Sequence, residues 1–225
     1  MKKAIILLPF VFVCAVSCAK LDTIGHYSVR AFNTILSDAP QLITQDEPNG
    51  GWSLAAPDNG ARFIWSRNFA ASPLFDMMLE LDAAPFIAAG LDPARLPDNF
   101  SFNSESNLLI VGTKLGTEQL QYKGEVTPLA SYVQIVRLKP QAIGYHSAMD
   151  HYGVDIGNGN MFEWAHDATA NDKDIVFVLN PEPFIAAGTD PDRIEGWIFT
   201  KVPVHDEKGR LVQVDKILKP FDILN

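Results

Sequence analysis

The chain has very little cysteine: 225 residues contain two, Cys14 and Cys18. Both fall in the first eighteen residues. The body beyond them therefore has no disulfide, and burial of an apolar core must hold it. Basic charge is also scarce, with 18 Lys and Arg against 27 Asp and Glu and a formal net charge of −9. No dense basic cluster occurs. That excludes nucleic acid as a partner, because phosphate neutralisation needs clustered Lys and Arg. It also excludes a polybasic contact with an anionic membrane. The longest apolar run, Ala4 to Val16, is too short to span a bilayer. There is no Gly-x-Ser-x-Gly, no His-Glu-x-x-His and no cysteine nucleophile in the body. Gly157-Asn-Gly159 lacks the third glycine and the following helix of a phosphate loop, so it reads as a turn.

What is present begins with Lys2 and Lys3, then the uncharged apolar run, then Ala15-Val16-Ser17-Cys18. A basic start, an apolar middle and small residues at the end are the layout of a secretory signal. The last four residues resemble the lipobox of bacterial lipoproteins, in which a small residue precedes the cysteine that is lipidated and becomes the new N-terminus. Ala15 departs from it, since leucine is commoner there. The resemblance covers this segment alone. It implies palmitate-type acylation of Cys18 and a membrane contact through lipid. It also implies an extracytoplasmic place in a bacterial cell envelope. Removing residues 1–17 from 225 leaves 208. Losing Lys2 and Lys3 leaves 16 basic residues against 27 acidic, a charge of −11. A body of that length can bury a substantial core.

The body says nearly the same thing twice. Pro85-Phe-Ile-Ala-Ala-Gly-Leu-Asp-Pro-Ala-Arg95 returns as Pro183-Phe-Ile-Ala-Ala-Gly-Thr-Asp-Pro-Asp-Arg193, nine of eleven positions matching at an offset of 98. Asp76 to Leu81 aligns with Asp174 to Leu179 at the same offset. Asn59-Gly60-x-x-Phe63-x-Trp65 aligns with Asn158-Gly159-x-x-Phe162-x-Trp164 at 99, and Pro40-Gln41 with Pro140-Gln141 at 100. The chain therefore divides into a signal peptide (1–17), a lipidated tether (18–26), repeat 1 (27–116), a polar linker (117–126) and repeat 2 (127–225), the unit recurring about every 95–100 residues.

Each repeat opens with an amphipathic helix. Val29, Phe32, Ile35 and Leu36 match Leu129, Tyr132, Ile135 and Val136, with Thr127 as N-cap and Pro128 as first helical residue in the second copy. Pro40 and Pro140 stop the helices. Asn59-Gly60 and Asn158-Gly159 predict two-residue hairpin turns. Beyond them, Phe63 and Trp65, or Phe162 and Trp164, share one strand face. Arg62 and Ile64, or Met161 and Glu163, take the other. A third strand follows at 76–81 or 175–179. The Pro-Phe-Ile-Ala-Ala-Gly motif reads as a short helix ended by a left-handed glycine, followed by an Asp-Pro turn. Asp92 and Arg95, or Asp190 and Arg193, read as a pair bracing that turn. A final hairpin closes each unit and is longer in the second. The order is α-β-β-β-α-β-β. Tight turns force antiparallel neighbours, so the class is α+β, with two tandem units related by a pseudo-twofold axis. Whether they share one sheet or pack face to face is left open.

Histidine breaks the symmetry. His146, Asp150, His151 and His166 all lie in repeat 2, where repeat 1 has roughly Asp46, Gly51, Trp52 and Arg67. These residue types suit zinc, but their spacing matches no standard site, and Asp150 and His151 should face opposite ways on a strand. Solvated or core histidines are the stronger reading, and no metal or other cofactor is assigned. Asp172 and Asp174 lack the regular spacing of a calcium loop. Trp65 and Trp164 are equivalent and read as core. Trp52 and Trp197 are each peculiar to one copy and are candidates for ligand contact, against the alternative that they fill local gaps.

These observations favour an envelope-anchored lipoprotein that binds an unknown protein or small molecule without catalysis. Its ligand-binding candidates are His146, His151, His166, Trp52 and Trp197. The rival is a metal- or carboxylate-dependent hydrolase with its site in repeat 2. A third reading is a protein inhibitor or assembly factor using the sheet faces.

Overall fold

A computed structural model describes residues 23–168, 173–206 and 208–224, and every structural statement below concerns them. Cys18 and the signal segment lie outside these residues, as does Asp172.

Repeat 1 runs α1 (Thr23–Asp38), β1 (Ile43–Asp46), β2 (Gly51–Ala55), β3 (Ala61–Ser66), β4 (Met77–Asp82), α2 (Ala84–Ala88), β5 (Phe100–Asn103) and β6 (Leu108–Thr113). Repeat 2 runs α3 (Pro128–Leu138), β7 (Ile143–His146), β8 (His151–Gly157), β9 (Asn160–Ala165), β10 (Ile175–Leu179), α4 (Glu182–Ala186), β11 (Ile198–His205) and β12 (Leu211–Phe221). The α+β class and the duplication both hold. Each unit makes its own six-stranded antiparallel sheet, and the orders correspond: β1-β2-β3-β4-β6-β5 and β7-β8-β9-β10-β12-β11. The structure adds one short edge strand, β1 or β7, to the strands expected in each unit. At four residues, each is too short to show an alternating pattern. Helix α1 begins at Thr23, inside the stretch assigned to the tether.

The two sheets meet through their inner faces. Phe63 stacks on Phe162 with centroids 4.4 Å apart and planes 11° from parallel. Phe32 of α1 sits among Trp65 (5.5 Å), Trp164 (5.2 Å) and Tyr132 (4.3 Å). One apolar core contains all of these and runs through both repeats. The helices are interleaved rather than private: α1 lies against β7, β8 and β9, and α3 against β2 and β3. Trp65 Nε1 donates to the Pro128 carbonyl at 3.2 Å, and Ser131 Oγ to the Ser66 carbonyl at 2.9 Å. The N-terminus of α3 carries its expected cap, with Thr127 Oγ1 accepting from Ala130 N.

The twice-written motif is explained at the pseudo-twofold axis. Phe86 and Phe184 are fully buried and pack on each other at 5.1 Å. Asp92 N donates to the Ala187 carbonyl at 2.9 Å, and Asp190 N to the Ala89 carbonyl at 2.8 Å. Gly90 and Gly188 both have φ near +100°, and a Cβ on either would press to 3.0 Å or closer on the other's carbonyl oxygen. Each motif is the other's binding surface. A self-complementary contact constrains both copies to the same residues. The expected Asp92–Arg95 brace is corrected here: the Arg95 guanidinium reaches across the axis to the Ala186 carbonyl.

One hairpin also departs from expectation. Asn158 and Gly159 both have positive φ and make the two-residue turn. In repeat 1 only Asn59 does, and the chain turns over Pro57 to Gly60, closed by Ala56 N to the Ala61 carbonyl at 2.8 Å. The wider turn holds Asp58 against Lys219 of the other repeat at 2.5 Å. The linker is docked, with Leu120 buried and Tyr122 Oη donating to the Arg67 carbonyl at 2.7 Å.

Candidate functional site

The site lies on the outer face of the second sheet, away from the shared core. Strand alternation turns Phe162 and Trp164 inward and Met161 and Glu163 outward. Glu163 pairs directly with Gly153, and Gly153 with Gly144, so two strands offer no side chain beside the carboxylate. A Cβ on Gly153 would lie 3.1 Å from both Glu163 Cγ and Met161 Cε, so the trough is shaped to glycine. His151 is two residues from Gly153 and hence on the same face; His146 pairs directly with His151. Three titratable side chains thus converge. His146 Nδ1 is 3.5 Å from Glu163 Oε1 and His151 Nδ1 is 3.6 Å from Oε2. These are ion-pair contacts, longer than an ordinary hydrogen bond. Glu163 and His151 are buried.

The last hairpin roofs this face. Strand β10 pairs with only Ile217 to Phe221 of β12, while β11 pairs with Leu211 to Leu218. Residues 211–216 and their β11 partners therefore overhang the sheet. The overhang crosses to the opposite edge, where His146 Nε2 meets the Pro203 carbonyl at 2.6 Å. Beneath it, Val176, Val178, Val202 and Leu218 form a second small core with Met161, Val204 and Val214 against it. A cavity of about 720 Å³ remains, lined by Val178, Val202, Leu218 and their apolar neighbours, by His146, Glu163 and His205, and by Lys216, Glu182 and Asp215 near Gly159 and Asn180. Its size falls within the range of small-molecule pockets, about 300–1,000 Å³.

The electrostatics follow from this packing. Burial pushes the Glu163 carboxyl upward, but the adjacent imidazoles of His146 and His151 outweigh it and hold the group below its ordinary value. Glu163 raises the affinity of His146 for its second proton, and burial opposes this less strongly. The geometry agrees. A carbonyl and a carboxylate both accept, so both His146 nitrogens are served only when both carry hydrogen, as in imidazolium. Burial lowers the pKa of the Lys216 ammonium, against the attraction of Glu163, Asp155 and Glu182. Its Nζ donates to the Gly159 carbonyl at 2.8 Å.

Of the residues singled out in the sequence, His146 and His151 come together. Asp150 turns away: its φ is +55° and its Oδ1 accepts from Tyr145 Oη at 2.6 Å. His166 leaves the strand on the other side, with its ring 6.3 Å from Tyr152. With Asp150 and His151 it borders a separate polar hollow of about 400 Å³. Among the described residues no three His, Cys, Asp or Glu side chains are placed to hold a metal. Asp174 is buried and accepts from Ile223 N at 3.1 Å, the same strand-end tie that Asp76 makes to Leu115 N at 2.6 Å.

Both tryptophan candidates belong to packing. Strand pairing matches His151 with Gly51, Asp150 with Gly50 and Trp52 with Tyr152, one residue away from the approximate sequence correspondence. Trp52 therefore has an aromatic counterpart and packs on the inner face opposite Trp65. Trp197 is 9% exposed and meets Phe86 edge-on at 5.4 Å, as Phe100 meets Phe184 at 5.4 Å. Sequence reasoning missed Glu163, Lys216 and Gly153 as site residues. A signal existed for Glu163, because repeat 1 has Ile64 there. No helix of the described residues is long and apolar enough to cross a membrane. No family model matches the chain, and neither the curated proteins nor the solved structures hold a match.

Proposed function

We propose that this protein is anchored by lipid on Cys18 in a bacterial envelope and binds a small amphipathic molecule there without converting it. The observation that carries the binding reading is the cavity under the β11–β12 overhang. Its apolar surface is valine, leucine and methionine, and His146, Glu163, Glu182, Asp215 and Lys216 are among the polar groups that line the rest. Small-molecule sites have this composition. Roofing the outer face by a hairpin also spares it from being an exposed apolar patch. The anchor rests on the lipobox resemblance alone.

N-phenyl-1-naphthylamine, which fluoresces in apolar surroundings, tests the cavity. The wild type is expected to bind it. Val178→Trp, which fills the floor, is expected to weaken binding about tenfold or more. Equal binding by both proteins would refute the site. Cys18→Ala is expected to move the protein out of the membrane fraction, and a wild type already soluble would refute the anchor. The hydrolase reading has one observation in its favour: the Glu163–His146 pair at the cavity wall could take a proton from water. Turnover of nitrophenyl esters that Glu163→Gln abolishes would replace binding by catalysis.

A further inference from the structure

We infer that the molecule under the overhang carries an anionic head, a carboxylate on an apolar body, and that Lys216 receives it. This deepens the cavity-binding reading and rests on it. The first ground is placement. Val214, Lys216 and Leu218 alternate onto one face of β12, and Val214 and Leu218 belong to the small core. A lysine in the middle of an apolar stripe facing a cavity is costly, because its charge loses water without gaining a neutral surface to reach.

The second ground is its missing counterion. Lys201 has Asp215 at 2.9 Å and Lys219 has Asp58 at 2.5 Å, so the neighbouring cations of this hairpin are paired. No described carboxylate oxygen lies within 4.0 Å of Lys216 Nζ. Glu163 is engaged by two histidines, Asp155 accepts from Gly157 N at 2.7 Å, and the exposed Glu182 attracts Lys216 only from beyond ion-pair distance. One ammonium hydrogen goes to the Gly159 carbonyl. Two donors remain for a guest.

The third ground is the other copy. Leu81 pairs with Leu109 as Leu179 pairs with Ile217, so Leu108 stands where repeat 2 has Lys216. In repeat 1 the outer face instead carries the Arg62–Glu80 ion pair, at the positions of apolar Met161 and Val178. Where repeat 1 has a self-satisfied pair, repeat 2 has an apolar floor and a cation with no carboxylate within ion-pair distance. A carboxylate at Lys216 with its chain along Val178, Val202 and Leu218 would satisfy both features.

The experiment displaces N-phenyl-1-naphthylamine from the purified full-length body with three chain-matched probes, dodecanoate, dodecanol and dodecylamine, at neutral pH and low salt. Dodecanoate is expected to bind tightest, about tenfold tighter than dodecanol, as one charge-assisted hydrogen-bonded pair allows. Lys216→Met should keep dodecanol binding, which also shows that it folds, and lose the preference for dodecanoate. An amine preference, equal binding of all three, or an unchanged preference in Lys216→Met overturns the inference while leaving the cavity reading intact. Failure of the reporter itself to bind overturns both.

Discussion

The inner faces of the two sheets are nearly the same and the outer faces are not. Inside, Phe63 answers Phe162, Trp65 answers Trp164 and Phe86 answers Phe184, because Phe63 and Phe86 touch their own counterparts, Trp164 touches Phe32 of repeat 1 and Trp65 bonds to Pro128 of repeat 2. Outside, Ile64 stands where repeat 2 has Glu163, Arg62 where it has Met161 and Leu108 where it has Lys216. No contact couples those positions across the axis, so they were free to diverge. The hairpins differ in the same way: four and six residues in repeat 1, eight and eleven in repeat 2. Duplication here supplied a frame in which one copy's outer face could become a cavity while the frame stayed satisfied.

The strongest way to break the comparison is to separate the copies. Because α1 packs on the second sheet and α3 on the first, residues 23–126 alone should have no folded monomer. Loss of amide dispersion in NMR spectra, or sedimentation as a dimer, is the expected outcome, and a well-folded monomer would contradict it. Next in size, Phe86→Ala and Phe184→Ala should each cost about 3–5 kcal/mol in urea unfolding, and by similar amounts. A clearly unequal pair of costs would mean that the axis is less symmetric than its contacts.

Smaller effects distinguish the outer faces. Glu163→Gln should cost about 1–3 kcal/mol, since it leaves the buried His151 and the partly buried His146 without their anion. Ile64→Val at the matching place should cost about 0.5–1.5 kcal/mol. The pH response of the outer faces should likewise be confined to repeat 2. His146 is raised in the fold, so its contribution is complete below its ordinary 6.5 and is lost as pH rises through the folded value. Glu163 is lowered, so its contribution is complete above its ordinary 4.5 and is lost as pH falls through the folded value. The overhang should be held best between these two ordinary values. The protection factors of Val202 and Val204 in hydrogen exchange, which remove the intrinsic rise of exchange with pH, should fall above that window, while those of Ser101 and Ile110 in the repeat 1 hairpin should stay constant. The smallest effect is expected for Arg62→Met. The arginine of that pair is about one-third exposed, so the change should stay within about 1 kcal/mol.

The duplication, the buried aromatic pairs and the class of fold were legible in the residues, because strand alternation and helix spacing are local. Thr127-Pro128 marked its helix start for the same reason. The short edge strands β1 and β7 were not legible, since four residues carry too little pattern. His146 and His151 were visible only as an asymmetry, and their partner Glu163 was read as one face of a strand. Spacing along the chain does not show that Gly153 and Gly144 clear the space beside it. Trp52 and Trp197 looked peculiar to one copy because an offset of one residue concealed their aromatic counterparts, and their packing fits the gap-filling alternative.

By itself, then, the sequence determined that two alike units with an apolar inner face must bury it, and that this face reads Phe-x-Trp in both. Periodicity and repetition are properties of the chain. Only the tertiary structure decided that the units close on each other through their twin motifs, that the helices cross over, and that a long hairpin bends back to bring Pro203 to His146 and Lys216 over Val178. Those outcomes depend on where strands of different length end and bend in space, and on which side chains then compete for the same volume.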